Sequence, residues 1–119
     1  MISTFKEIAD YHKAIGRSPE GLSMEQRMEM LREYAIGAIH ELVEAMQHTP
    51  WKTWKLPEKQ DNNPILFAGE MADVLFFIAG MCEVMEITPR NLHSAYIEKL
   101  VKNYHRLEPE GDHIRKEVI

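Results

Sequence analysis

Glu41-Leu-Val-Glu44 and Glu70-Met-Ala-Asp73 are both acid-x-x-acid, and both lie in helix-forming sequence. A spacing of three puts the two carboxylates of each pair on one helix face, about a turn apart. Ile39, Leu42, Val43 and Met46 surround the first pair, and the second sits where the following sequence turns apolar. Acids in such surroundings need partners or cations. Two helices packed together would aim all four at one small volume. Repulsion and desolvation then raise their energy unless cations neutralise them. Oxygen donors select a hard divalent ion such as Mg²⁺, with Mn²⁺ as a substitute. Hard divalent ions go with phosphate chemistry.

Two further segments fit that chemistry. His48-Thr-Pro-Trp-Lys-Thr-Trp-Lys55 follows the first pair directly. Lys52 and Lys55 there are point charges suited to phosphates, and Trp54 offers a face for a base. Near the C-terminus, Tyr96, Lys99, Asn103 and Arg106 are separated by steps of 3, 4 and 3. These steps put hydroxyl, ammonium, amide and guanidinium groups on one helical stripe, a set that suits a polyanion. His40-Glu41-x-x-Glu44 falls short of a zinc-protease motif, because its second imidazole is replaced by Glu. Cys82 is the one thiol and lies in apolar sequence. It reads as a small buried hydrophobe, and the absence of a disulfide framework suits a cytoplasmic chain.

Four helices must position these groups. Thr4-Phe-Lys-Glu7 predicts a capped helix running to Ile15 and stopped by Gly16. Ser23-Met-Glu-Gln26 predicts a second, from Met24 to Gln47, with Met28, Leu31, Ala35, Ala38, Leu42 and Met46 as its apolar stripe. Residues from His48 to Asn63 read as a loop. Asn63-Pro64 and Thr88-Pro89 are cap-then-proline signals for helices from Pro64 to Glu86 and from Pro89 to Leu107. The third is apolar nearly all round over Val74–Cys82, which makes it central and sends part of it to a partner subunit.

No strand alternation survives, so the expected fold is all-α: a four-helix bundle completed by homo-oligomerisation. At 119 residues and 13.9 kDa it forms one domain over 1–119, with a polar tail from about 108 to 119. The net charge of −5 excludes nucleic-acid binding through bulk positive charge. Glu70, Asp73 and Glu83 interrupt the apolar stretch, so no membrane span is expected. A homodimer is the expected unit, able to pair into a dimer of dimers.

Together these residues resemble the all-α nucleoside triphosphate pyrophosphohydrolases, the superfamily of MazG-like enzymes and dimeric dUTPases. Glu41, Glu44, Glu70 and Asp73 match its ExxE–spacer–ExxD mark. Lys52-Thr-Trp54-Lys55 looks like the K-x-W-K stretch of dimeric dUTPases, and Tyr96, Lys99, Asn103 and Arg106 look like their Y-x-x-K-x-x-x-N-x-x-R helix. Phe76-Phe77 stands where dimeric dUTPases commonly carry a histidine near the base, and Gln26 is the candidate for their uracil-side glutamine. The resemblance implies a Mg²⁺-dependent enzyme that converts a deoxynucleoside triphosphate to monophosphate and pyrophosphate. The leading substrate is dUTP, and dATP, dGTP or another nucleotide is the MazG-like alternative. It implies that the four acids hold the metal, that Glu44, with Glu41, activates water, and that Lys52, Lys55, Lys99 and Arg106 meet the phosphates. Asn103 and Tyr96 would then orient the substrate, and Trp54 and Phe77 would pack on the base. It also implies location in the cytoplasm, the host's for a phage-type chain. The competing class is a helical dimerisation or nucleotide-binding module with solvated acids and no turnover.

Overall fold

The structure, a computed structural model, describes residues 1–108. The expected polar tail thus lies outside the described residues except for Glu108. Four α-helices account for most of the rest: α1 (Ile2–Ala14), α2 (Met24–Met46), α3 (Pro64–Val84) and α4 (Pro89–His105). A single 3-10 turn, Pro57–Lys59, interrupts the loop between α2 and α3. There is no strand among the described residues.

The helix ends follow local chemistry. Ser23 and Gln26 form both halves of a capping box on α2, which occupies the Gln26 side chain. The Asn63 side chain accepts from Leu66 N–H at the start of α3. Thr88 and Asn91 make a second capping box on α4. The box expected at Thr4 does not form. α1 begins at Ile2, its N-cap is Met1, and no side chain caps it. Phe5 N–H already donates to Met1 C=O at 3.0 Å, so Thr4 lies inside the first turn. Gly16 stops α1 as expected. Its φ is 76°, and Arg17 N–H reaches His12 C=O while Gly16 N–H reaches Lys13 C=O, the paired bonds of a Schellman ending. α3 ends the same way, earlier than expected, because Glu86 turns to φ 57°. The Arg27 guanidinium, from α2, donates to Val84 C=O at 2.8 Å and ion-pairs with Glu86 at 3.1 Å.

α2 and α3 form an antiparallel hairpin. Arg27 meets the end of α3, Tyr34 meets Gly80, and Gly37 meets Phe77. Both glycines are seats for rings: a methyl added at Gly80 would lie 2.7 Å from Tyr34, and one at Gly37 would lie 2.6 Å from Phe77. α1 lies against α3. His12 is buried there, with Nδ1 at 3.1 Å from both oxygens of Glu83 and its ring stacked on Tyr34. α3 is thus central, packed on α2 and α1, while α4 packs chiefly on α1.

The core is thin. Its buried apolar residues are Ile8, Tyr34, Ala45, Val74, Ala79 and Val84. The expected α2 stripe is only half right, because Leu42 and Met46 are exposed and Tyr34, Gly37 and Ala45 take the inner face. α2 has a second apolar line, Ile36, Ile39, Val43 and Met46, that is exposed among the described residues. α4 has no buried residue. Cys82 is partly rather than fully buried, and burial, then the nearby Glu83 carboxylate, push its thiol pKa up. α3 has the length and apolar composition to cross a membrane; here it lies along α2 and carries Glu70, Asp73 and Glu83.

Candidate metal centre

The antiparallel hairpin brings the end of α2 beside the start of α3, and this brings the acids together. One carboxylate oxygen from each of Glu41, Glu44 and Glu70 lies within 4.8 Å of the others. Glu41 and Glu44 share a face because they are three apart on α2, and Glu70 faces them from α3. Asp73 is exposed and lies outside this group, although its charge still reaches Glu41.

Glu41 is the most constrained of the three. Its Oε2 is buried and has no hydrogen-bond partner. Its pKa is pushed up to about 7, first by the Glu70 carboxyl, close enough to share a proton, then by burial and by the charges of Glu44, Glu70 and Asp73. Glu70 is held below its ordinary value, chiefly by the same shared proton and then, against burial, by His48. Without a cation, a single proton held between Glu41 and Glu70 would relieve the repulsion.

This donor set suits a hard divalent ion: three carboxylates converge, one with an orphaned buried oxygen. A cation there would satisfy that oxygen and take over the work of the shared proton.

Two histidines border the acids. His40 Nε2 lies 2.9 Å from Glu44 Oε1, one turn back along α2. His48 Nε2 lies 3.5 Å from Glu70 Oε1, and its Nδ1 lies 3.3 Å from Asp61 Oδ2. Sequence reasoning missed the pairing of His48 with Asp61 and Glu70. The available signal was its place four residues after Glu44, one helical turn on. Asp61 had none, because the fold of a loop alone brings it there.

The loop is tightly pinned. The Gln60 side chain accepts from Lys52 N–H at 3.0 Å and donates to the carbonyls of Lys52 and Lys55 at 2.8 and 3.1 Å. Trp51 and Trp54 meet edge to face at 5.6 Å, and Lys52 Nζ sits 5.9 Å over the Trp51 ring. Trp54 is exposed, as is Lys55. Neither lysine ion-pairs with an acid among the described residues.

The other expected substrate residues lie on α3 and α4 or, for Arg106, at the end of α4. Phe77 packs into the α2–α3 seam against Gly37 and Tyr34. Tyr96, Lys99 and Asn103 are exposed on α4, where Arg106 Nη1 donates to Asn103 Oδ1 at 3.0 Å. Among the described residues, none of the α4 stripe bonds to the acids. The chain matches no family model, no curated protein and no solved structure.

Proposed function

We propose that this chain is a Mg²⁺-dependent nucleoside triphosphate pyrophosphohydrolase that converts a deoxynucleoside triphosphate to its monophosphate and pyrophosphate. The observation that carries the reading is the convergence of Glu41, Glu44 and Glu70 around a buried, unpartnered carboxylate oxygen. Mg²⁺, or Mn²⁺ in its place, would be held by these glutamates with Asp73 at the edge, and would supply charge neutralisation for phosphate oxygens and a more acidic water. Glu44, more open than Glu70, orients and deprotonates the attacking water with Glu41 beside it. Lys52 and Lys55 neutralise phosphate charge from the pinned loop. Trp54, exposed beside them, packs on the base. Phe77 supports the α2–α3 seam rather than offering an open ring.

The reading includes a homodimer. Tyr96, Lys99, Asn103 and Arg106 stand on a helix that packs chiefly on α1. A second copy is the source from which such a stripe reaches an acid site, and it would also cover the exposed apolar lines of α2 and α4. dUTP is the leading substrate, and another deoxynucleotide is the alternative because Phe76-Phe77 offers no polar group to a base.

The experiment is a pyrophosphate-release assay with Mg²⁺ across dUTP, dATP, dGTP, dCTP, dTTP and the ribonucleotides. Turnover on a deoxynucleotide is expected, and Glu44→Gln is expected to lower it by at least about 100-fold, the scale on which a positioned general base acts. Helical content should be unchanged. No turnover on any substrate would shift the reading to a nucleotide-binding or dimerisation module.

A further inference from the structure

Beside the three glutamates stands one imidazole with a carboxylate at each ring nitrogen. His48 opens the α2–α3 loop, with Nε2 at 3.5 Å from Glu70 and Nδ1 at 3.3 Å from Asp61. Its side chain and that of Glu70 are each 21% exposed, so both are largely enclosed. The backbone fixes the ring's base. Asn63 N–H donates to His48 C=O at 2.8 Å, and the Thr49 hydroxyl donates to Met46 C=O at 2.7 Å. The two ends of the loop are therefore closed onto each other beside the acids. The ring cannot swing without leaving one carboxylate.

We propose that His48, backed by Asp61, is a positioning residue for Glu70. It holds the Glu70 carboxylate where it converges with Glu41 and Glu44, and so sets the affinity of the site for a divalent cation. This rests on the reading of those glutamates as a cation site. Groups that orient metal-binding side chains commonly change metal affinity 10–100-fold. Asp61 acts through His48, because its carboxylate meets the ring on the side away from Glu70.

The test is calorimetric titration of the full chain with Mn²⁺ alone. It compares the wild type with His48→Ala, His48→Gln, Asp61→Asn and the His48→Ala/Asp61→Asn double variant. His48→Ala should bind Mn²⁺ about 10–100-fold more weakly. His48→Gln, which keeps an N–H donor near the Nε2 position, should recover most of the loss. Asp61→Asn should weaken binding less, and should add nothing once His48 is gone. Equal affinity in His48→Ala overturns the proposal. So does tighter binding, which would make the imidazole a rival of the cation rather than a support for its ligand. Should His48→Ala lose helicity, the exposed Asp61 decides, and unchanged affinity in Asp61→Asn overturns the proposal. A wild-type chain that takes up no Mn²⁺ overturns the cation site itself, an outcome distinct from variants that bind as the wild type does.

Discussion

Glu41 shows what a carboxylate does when its neighbours are carboxylates. Its raised pKa of about 7 means that the folded chain holds a proton there more tightly than the unfolded chain does. Such a group contributes stability in full below its ordinary value near 4.5, and the contribution is lost as pH rises through about 7. In EDTA, the melting temperature should therefore fall between about pH 5 and pH 8. Glu41→Gln should flatten that fall, because the amide stays neutral and can still donate to Glu70. Thermal melts of both proteins across this range check it; a wild-type profile as flat as the variant's would count against the shared proton. Saturating Mn²⁺ should remove the slope as well, because the cation replaces the proton. The acids were legible as two pairs because helical spacing alone groups the members of each pair. That Asp73 stands aside while His48 and Asp61 come in was not legible, since it depends on the path of a loop.

At the scale of the element, the α2–α3 hairpin is the device that builds the site, and its register depends on two glycines. Tyr34 lies where a side chain at Gly80 would go, and Phe77 lies where one at Gly37 would go. Gly80→Ala should cost about 1–3 kcal/mol, the usual range for overpacking a tight contact. Chemical denaturation measures this, with an unchanged slope expected. Since Tyr34 also stacks on His12, the variant should loosen α1 too. The caps at Ser23, Asn63 and Thr88 were legible, because a short polar side chain before a helix has few other uses. Thr4 forms no box because Ile2 and Ser3 continue the helix backwards, and no proline or glycine marks a start there.

At the scale of the molecule, the described residues leave many large apolar side chains in water. Ile36 is 66% exposed, Val101 62% and Tyr104 66%. Ile36 is on α2 and Val101 and Tyr104 on α4, and contiguous exposed apolar surface is what marks a contact face. The proposed homodimer predicts a solution mass near twice 13.9 kDa by light scattering. Val101→Glu should weaken it at least about tenfold, since burying an unpaired charge costs well over the 1.4 kcal/mol that a factor of ten requires. α4 is the place to test, because it has no buried residue while Ile97, Val101 and Tyr104 line one side of it. If the α4 stripe serves a partner's acids, the same variant should lose turnover as it loses dimer. A monomeric wild type with full activity would sink that arrangement.

By itself the sequence determined the helical class, the starts of α2, α3 and α4, and the pairing of acids within each helix. Each is a local matter, decided within about one turn by capping chemistry and the 3.6-residue period. The tertiary structure alone decided which of the two apolar lines of α2 faces inward, since periodicity finds a stripe without saying what it meets. It alone decided that Phe77 fills a seam, that His48 reaches Glu70, and that α4 rests on α1. Those outcomes turn on contacts between residues far apart in the chain, which packing selects and local spacing does not encode.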